Sequence, residues 1–386
     1  MVHIVAGFTL LTIALPLVGA ETRVGPGESI QAAVDHAASG DRITVLPGTY
    51  HETGRPCPTM PSQICAVVVS LDNITLTARG LPGLPVILEN RGGQSTGIAF
   101  AKHGANGAQC QNDPRQRLNG ARVEGFIVRN FRQDGISLFC ADNWSVRFNT
   151  AVDNAEYGIF PAHCGHGRLS MNTASGSHDT GIYIGQSHDV QVDHNVAHDN
   201  VDGYEVENSV NIELDHNVAF HNTAGIVMFI LPGRDILQNH GNQIHDNFVF
   251  ENNSPNTCLD PAEDVCLVPP GIGILAVGGD HNRIDHNQVG GNQSFGIGLT
   301  DVCTALRMAP NACRGFGFDP LPKSTHIEFN TALDNGANPQ FPGFPGADLI
   351  WSALGTGNCW RDNLAKVIFP RPLPACDGES PEDGKR

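Results

Sequence analysis

Short segments in which apolar and polar side chains alternate recur along the chain at a nearly constant spacing. Each segment opens with a glycine, as in GYEVE and GIYIG. Their first residues, spaced by 22 or 23 positions over the first five members, are Gly135, Gly158, Gly181, Gly203, Gly225, Gly271 and Gly296. Because the alternation has the two-residue period of a β-strand, each segment predicts a strand rather than a helix.

Two series of asparagines, called columns here, recur at the same spacing as these segments. The first column is Asn149, Asn172, Asn195, Asn217, Asn247, Asn287 and Asn330. The second lies five residues further on and holds asparagine everywhere except at Ser177. An asparagine that points inward at a bend can hydrogen-bond backbone groups and its counterparts in neighbouring repeats. The columns therefore predict recurring bends between the strands.

Three short strands in each repeat predict an all-β solenoid, the parallel β-helix, with roughly nine to eleven coils. Each coil would stack on the last at about 4.8 Å and share its apolar core with its neighbours. A leucine-rich repeat is the main alternative architecture. Its consensus is dominated by leucine, whereas these repeats use Ile, Val and Asn.

The ends of the repeat array predict caps. Residues 28–38, ESIQAAVDHAA, have helical spacing and precede the strand-like DRITVLPGTY. An amphipathic helix at this end would cover the open apolar edge of a solenoid. We expect the cap over 24–50, clear repeats over 121–335 and a disulfide-tethered segment over 353–386. Four polar stretches predict loops inserted between coils, at 101–119, 231–243, 254–270 and 301–323.

The first 20 residues predict a signal peptide. They combine a weakly cationic start, an apolar run and small residues, and Val18-Gly19-Ala20 fits a signal-peptidase site. A buried N-terminal strand or an uncleaved anchor is the alternative. We therefore expect one exported domain over 21–386, in the periplasm or outside the cell. No later segment has the ~20 apolar residues needed to span a bilayer.

The charge balance restricts the partners. The chain holds 23 Lys and Arg against 40 Asp and Glu, which gives a net charge of −17. Nucleic acid would be repelled by this charge. An acidic polysaccharide would be repelled too, unless a cation bridged the two. We expect the protein to be a monomer.

The 11 cysteines fit an oxidising compartment. Four pairs lie close together in polar, proline-rich segments, and we expect each pair to close its own loop: Cys57 with Cys65, Cys258 with Cys266, Cys303 with Cys313, and Cys359 with Cys376. Cys110, Cys140 and Cys164 remain, so at least one thiol is expected to be free. A metal site is the weaker alternative, because no CxxC pair occurs.

Two segments carry a resemblance to known proteins. The opening PGESIQAAVDHAASGDRITVLPGTY is similar to the N-terminal cap and first strand of the pectin-lyase-like superfamily of right-handed parallel β-helices. Residues 179–232, with DTGIYIGQS and NTAGIVMFILP, resemble more closely an uncharacterised family of secreted bacterial β-helix-repeat proteins. The resemblance runs over most of 24–335 and implies a right-handed solenoid. The superfamily includes polysaccharide lyases, polygalacturonases, mannuronan epimerases and periplasmic copper-maturation proteins.

Two segments are similar to catalytic motifs of that superfamily but lack their aspartates. Residues 164–167, CGHG, resemble the GHG element of polygalacturonases, without the paired aspartates that those enzymes carry on preceding coils. Residues 157–163, YGIFPAH, are loosely similar to the tyrosine-plus-DPHD stretch of mannuronan epimerases, without the flanking aspartates. Neither segment therefore predicts a reaction.

One outward strand face predicts a sugar-binding groove. In the strand after Gly203, alternation turns Glu205 and Glu207 outward, roughly 6.5–7 Å apart. Tyr183 would lie one coil away and His163 two coils away. Carboxylates bind hydroxyls or serve as acid and base, and aromatic faces stack on sugar rings. We expect the two glutamates to be the acid/base candidates, with Tyr183 and His163 in proton transfer or positioning. An ordinary solvated strand face is the alternative.

Basic residues are absent from the central repeats. No Lys or Arg occurs between Arg168 and Arg234. Lyases of the superfamily that this chain resembles commonly use a Lys or Arg base, with Ca²⁺ neutralising the uronate. The resemblance therefore implies that a lyase is disfavoured, unless Arg147, Arg168 or Arg234 reaches in from the edges.

The tripeptide DHN at residues 193–195 recurs one repeat later at residues 215–217, and this pair forms a second candidate site. Stacking would place Asp193 over Asp215 and His194 over His216. Like charges at that distance repel unless one is protonated or a cation lies between them. Imidazole with carboxylate suits Cu²⁺ or Zn²⁺, and carboxylates alone suit Ca²⁺. A solvated bend is the alternative, because Asp and Asn are common turn formers.

The leading hypothesis is an exported carbohydrate-active protein that binds a polysaccharide or oligosaccharide along the Glu205 face. If the protein is an enzyme, the choice among hydrolase, lyase and epimerase stays open. The alternatives are a noncatalytic periplasmic metal-handling protein and a structural scaffold. No cofactor is certain; Ca²⁺ is the first candidate, and Cu²⁺ or Zn²⁺ comes after it.

Overall fold

Three long sheets wind around one apolar core in the computed structural model, which describes residues 19–309 and 313–376. The chain passes through the first, second and third sheets in turn and then begins the next coil. Neighbouring coils pair in parallel, with Val192 beside Leu214 as one example. The predicted parallel β-helix is therefore confirmed. The predicted signal segment 1–20 falls outside the described residues, apart from its last two positions.

Each sheet is built from strands of two to six residues. The first sheet has 14 strands: Glu21–Val24, Arg42–Val45, Thr75–Ala78, Leu118–Asn119, Arg122–Glu124, Ala141–Asp142, Ser145–Arg147, Gly165–Ser170, His188–Asp193, Val210–Asp215, Gln243–His245, Arg283–Asp285, His326–Glu328 and Cys359–Arg361. The second has ten: Gly48–Tyr50, Val86–Glu89, Phe126–Arg129, Thr150–Val152, Thr173–Ser175, Val196–His198, Val218–Phe220, Phe248–Phe250, Gln288–Gly290 and Thr331–Leu333. The third has 12: Arg55–Pro56, Ile64–Val69, Thr96–Phe100, Ile136–Phe139, Ile159–Ala162, Thr180–Gly185, Asp202–Glu207, Ala224–Phe229, Ile272–Val277, Phe295–Thr300, Ala347–Trp351 and Ile368–Phe369.

Helices are short and lie outside the sheets. The α-helical segments are Ile30–Asp35, Gly107–Cys110 and Val302–Ala305, and the 3₁₀ turns are Pro114–Gln116 and Asp264–Leu267. Among the described residues, no helix is long and apolar enough to cross a membrane.

The first helix, Ile30–Asp35, packs where the predicted cap was expected. Its Ser29 N-cap side chain accepts a hydrogen bond from the backbone of Ala32. Gln31 Nε2 donates a hydrogen bond to the backbone carbonyl of Val68 at 3.2 Å, and the backbone N–H of Val68 donates to Gln31 Oε1 at 2.6 Å. The glutamine thereby occupies backbone groups of an early third-sheet strand that would otherwise be open to another chain.

The inward positions of the third sheet form one apolar column through the solenoid. Successive coils place these residues next to one another: Ile98, Ile136, Ile159, Ile182, Tyr204, Ile226, Ile274, Ile297 and Leu349. Each of them is at most 1% exposed. The alternation read from the sequence therefore assigns the inner and outer faces of this sheet correctly.

The two asparagine columns form hydrogen-bonded ladders inside the bends. Asn217 Oδ1 accepts from the backbone and side-chain amides of Asn195 at 2.9 and 3.0 Å. Its Nδ2 donates to the carbonyl of Val192 at 2.7 Å and to Asn247 Oδ1 at 3.1 Å. Each rung thus satisfies backbone groups at the bend and also fixes the register of the next coil. The predicted role of the columns is confirmed.

The five disulfides close loops or join them to the solenoid. The four predicted pairs are present, and Cys110 also bonds to Cys140. Cys164 is free and buried, which agrees with the expectation of a free thiol.

Replacing one rung of the ladder tests its contribution to stability. Asn217→Ala removes four hydrogen bonds and leaves buried amides of Asn195 and Asn247 with fewer partners. Each lost buried partner costs about 1–3 kcal/mol, so we expect the free energy of unfolding to fall by about 3 kcal/mol or more. Chemical denaturation followed by circular dichroism would measure it. Gln191→Ala, on the exposed face of a neighbouring strand, is the control and should change it by less than about 0.5 kcal/mol. Equal effects of the two substitutions would contradict the structural role.

Candidate active site

A cavity of about 380 Å³ lies over the outer face of the third sheet. Its floor is formed by strands Asp202–Glu207, Ala224–Phe229 and Ile272–Val277, and its roof by residues 262–269, 305–306 and 341. Glu205 and Glu207 do point outward, as predicted, but they are only 7% and 3% exposed. This strand face is therefore not an ordinary solvated one, because the inserted loops cover it.

The roof segment 254–270 is held in shape by its own bonds. The Cys258–Cys266 disulfide closes it. The Asn256 side chain donates to the carbonyls of Val265 and Val268, both at 2.8 Å. These bonds fix the shape of an irregular segment whose Val265, Leu267 and Val268 line the cavity.

Two carboxyl groups on adjacent coils share one hydroxyl at the cavity floor. The Thr180 hydroxyl lies 2.9 Å from Asp179 Oδ1 and within hydrogen-bonding reach of Glu205 Oε2. Tyr157 hydrogen-bonds to Asp179 from the preceding coil. A hydroxyl has one hydrogen, so Thr180 donates to one carboxylate and accepts from the other carboxyl group. The arrangement is fully satisfied when Asp179 is ionised and Glu205 carries a proton.

The environment of this pair favours the same protonation state. Burial raises the pKa of Asp179 to about 7, although the hydrogen bonds from Tyr157 and Thr180 oppose the rise. Burial, together with the charge of Asp179, raises the pKa of Glu205 well above its usual range. The two carboxyls form a coupled pair in which a single proton is held mainly by Glu205.

Asp202 lines the same cavity without a hydrogen bond to one of its oxygens. The residue is 2% exposed, and its Oδ1 has no partner among the described residues. Burial and the nearby charge of Asp179 raise its pKa well above the usual range. A buried polar atom without a partner is costly. Such an atom at a cavity wall marks a position that a ligand can satisfy.

Glu207 has partners of a different kind from those of Glu205. The Tyr183 hydroxyl donates to Glu207 Oε2, and the Arg234 guanidinium donates to Oε1. Arg234 comes from the insertion after the next strand, so one of the three arginines named at the edges of the central coils does reach in. Phe160 stacks on Tyr183 with ring centroids 4.6 Å apart and an interplanar angle of 14°. The Arg234–Glu207 ion pair lies at one end of the cavity.

His163 does not join this group. It is 5% exposed, and its Nε2 lies 3.6 Å from Asp235 while its ring packs edge-on against Phe139. It does not line the cavity. Burial lowers its pKa. The structure therefore brings Tyr183, Glu205 and Glu207 together and leaves His163 apart, because the bend carries its side chain away from the covered strand face.

The predicted metal residues stack as expected but keep other partners. Asp193 pairs with Asp215 in register, and the rings of His194 and His216 stack 5.1 Å apart. Asp193, however, accepts from Arg168 at 2.7 and 2.9 Å. Each histidine lies within hydrogen-bonding distance of its neighbouring aspartate, at 3.0 and 2.7 Å. A metal site made by these four residues stays a prediction.

On the described part of the chain, other side chains place potential metal ligands near one another. Four groups among the described residues place their ligand atoms within 4.8 Å of one another. Two of them include disulfide-bonded cysteines. The other two are His166, His188 and Asp189, and Glu213, Asp215 and His245. The four predicted residues do not form such a group by themselves within the described ranges.

The sequence patterns gave no site role to Asp179, Asp202 and Tyr157, and they named Arg234 only as one of three arginines that could reach in from the edges. Asp179 lies just before the strand Thr180–Gly185, and Asp202 is the first residue of the next strand of the same sheet, in register with Thr180. An acidic residue entering the same sheet on two adjacent coils was the available signal. The contact between Arg234 and Glu207 depends on how a long insertion folds back, and the repeat pattern of the sequence does not predict that path.

Removing the unpartnered carboxyl is expected to stabilise the protein. The folded-state pKa of Asp202 is raised, so the stability linked to its protonated form is present below about pH 4 and is lost as the pH rises. Asp202→Asn should therefore raise the melting temperature by about 1–3 °C at about pH 8, and the gain should vanish towards about pH 4.

Differential scanning calorimetry over this pH range would measure the shift. Asp199→Asn is the matched control, since the Asp199 side chain is 60% exposed and should give no such trend. A lower melting temperature for Asp202→Asn at every pH would contradict this account of the cavity.

Comparisons with known proteins agree with the solenoid. Residues 86–229 match the family model described as "Right handed beta helix region". No curated protein sequence matches the chain. The A-module of the mannuronan C-5 epimerase AlgE4 from Azotobacter vinelandii is 14% identical, with a TM-score of 0.60 over 90% of this chain and 95% of that one.

Two further solved structures are similar in fold. The periplasmic alginate epimerase AlgG is 14% identical, with a TM-score of 0.57 over 89% of this chain and 73% of that one. The catalytic domain of Agl-KA is 13% identical, with a TM-score of 0.59 over 91% of this chain and 66% of that one. At these identities the likeness concerns the fold. This chain therefore has a right-handed parallel β-helix fold.

Proposed function

We propose that this chain is an exported carbohydrate-active protein that takes the end of an oligosaccharide or polysaccharide into the cavity over the third sheet. The observation that carries the proposal is the pair of buried carboxyls, Asp179 and Glu205, bridged by Thr180 on the cavity floor. A volume of about 380 Å³ falls within the range of roughly 300–1,000 Å³ typical of small-molecule sites. Two neighbours in fold are named as epimerases of mannuronan and alginate, which supports the substrate class.

The pair is suited to acid–base chemistry near neutral pH. Glu205, which holds the shared proton, is the general acid and would donate to an oxygen of the sugar. Asp179, oriented by Tyr157, is the general base and would accept a proton from water or from the sugar. A base whose pKa lies near the working pH is the most effective. This assignment keeps Glu205 from the sequence hypothesis and adds Asp179.

Glu207 and Tyr183 are positioning residues in this proposal. The Arg234–Glu207 ion pair, extended by the Tyr183 hydroxyl, anchors the loop that closes one end of the cavity. His163 has no role here, because it lies outside the cavity.

Export is supported by the cysteines. Five disulfides form among the described residues, which fits an oxidising compartment. The signal peptide at 1–20 stays a prediction.

A noncatalytic metal-handling protein is the second candidate. Its support is the group of His166, His188 and Asp189, whose ligand atoms lie within 4.8 Å of one another on adjacent coils. Imidazole and carboxylate ligands suit Cu²⁺ or Zn²⁺. Elemental analysis of purified protein separates the candidates: stoichiometric metal that is lost in His188→Ala favours this one, and metal-free protein that processes a sugar rules it out.

Site variants test the acid–base assignment. Activity is found first by mass spectrometry of products from a panel of polysaccharides, where a gain of water means hydrolysis, an unsaturated end means elimination, and an isomerised sugar of unchanged mass means epimerisation. Glu205→Gln and Asp179→Asn should each lower kcat by about 100-fold or more. The double variant Glu205→Gln, Glu207→Gln should be inactive.

Thr180 provides a matched pair of variants. Thr180→Val keeps the shape of the side chain but removes the bridge, and we expect kcat to fall by about tenfold or more. Thr180→Ser keeps the hydroxyl and should stay within a few-fold of the native rate. Full activity of Thr180→Val, or of the double glutamate variant, would disprove the assignment.

The pH profile provides a separate test. Asp179 must be ionised and Glu205 protonated, so kcat/KM should rise with pH through about 7 and fall again at higher pH. The rising limb reports deprotonation of Asp179, and the falling limb reports loss of the proton held by Glu205. A profile that is already maximal and flat at about pH 5 would contradict a base with a raised pKa.

A further inference from the structure

The side chains around the cavity are strongly unbalanced in charge. Arg234 is the one basic residue that lines it among the described residues. The acidic residues that line it are Asp179, Asp202, Glu205, Glu207, Glu263 and Asp264. The first four lie on or beside the strand face, and Glu263 and Asp264 belong to the roof segment. A ligand in this space is therefore surrounded by carboxyl groups.

The single guanidinium is already engaged. Arg234 donates to Glu207, and its Nη2 lies 3.9 Å from Asp264 of the roof. A sugar carboxylate entering the cavity would find no free cation to pair with. It would instead lie near buried carboxyls, and repulsion between like charges at short range is severe in a site shielded from water.

Asp202 supplies the complementary feature. Its Oδ1 is buried at the cavity wall without a partner among the described residues, unlike the carboxyl groups of Glu205 and Glu207, which each have a hydrogen-bond partner. An ammonium group is a three-hydrogen donor of opposite charge. It would satisfy this oxygen and would favour the ionised form of Asp202.

We propose that the sugar bound in this cavity carries a free amino group, so that the substrate class is an amino-sugar polymer or oligomer lacking N-acetylation, with the ammonium paired to Asp202. This inference rests on the proposed carbohydrate function and names its substrate class. The apolar wall, which includes Val227, Val268 and Leu275, would pack against the C–H faces of the same ring.

N-acetylation is the discriminating change. It removes the positive charge and two donor hydrogens, and it places a carbonyl oxygen next to Asp202. A site built around an unpartnered buried acceptor rejects an analogue that cannot donate to it, because the acceptor then stays unsatisfied. A uronate unit would be rejected for its charge.

Calorimetric titration of the full chain with four trisaccharides tests the proposal. The probes are triglucosamine, its fully N-acetylated form, cellotriose and trigalacturonate, at about pH 6, where an amine of ordinary pKa is protonated. We expect triglucosamine to bind at least about tenfold more tightly than each of the other three. Asp202→Asn should remove most of that preference while the neutral probe binds as before.

Asp199→Asn separates a specific site from general attraction to an acidic protein. It removes one exposed negative charge three residues away along the chain, so the affinity for triglucosamine should stay unchanged. Equal weakening by Asp199→Asn and Asp202→Asn would overturn the inference. Tighter binding of cellotriose or trigalacturonate would overturn it as well, but would leave the carbohydrate function standing. Failure of all four probes to bind would count against both proposals.

Discussion

Hydrogen bonds that run from coil to coil through buried asparagines are the constraint on which the rest of the structure depends. Each rung satisfies a bend that would otherwise bury unpaired backbone groups, and it does so only when the next coil lies in one register. Register in turn decides which side chains meet on the outer face. Thr180 lies beside Asp202, and Tyr183 beside Glu205, because the ladder below them allows no slip.

That rigidity makes a concentration of buried acids tolerable. Asp179, Asp202 and Glu205 would each prefer water, and their shared burial destabilises the folded state at neutral pH. The coils around these acids have a continuous apolar column and two asparagine ladders. The loss of stability is therefore confined to one face of a solenoid in which most other buried polar groups are hydrogen-bonded. Buried groups that break the local rules in this way are typical of functional sites.

The sequence predicts the solenoid well but the site only in part, because the solenoid depends on local, repeated patterns and the site depends on contacts between distant segments. Alternation and the asparagine period are local and repeated, so they assign the inward column, the outward position of Glu205 and the alignment with Tyr183. Proximity in sequence likewise predicts four disulfide pairs. The roof has no period, and its position depends on where an insertion folds back. The cover over Glu205, the reach of Arg234 and the separation of His163 could not be read from spacing.

The same scaffold carries different chemistry in proteins of similar fold, and the charges around the cavity show how. A parallel β-helix presents a ladder of outward side chains, and changing a few of them leaves the core untouched. Binding a uronate requires positive charge next to the reacting sugar. Among the described residues that line this cavity, the one arginine is paired with Glu207, and the others are acidic or apolar apart from Tyr157. Fold likeness to epimerases of anionic polymers therefore does not carry over their substrate. In the proposed function the ligand is selected by this local charge balance, which is set by residues on two adjacent coils and two inserted loops.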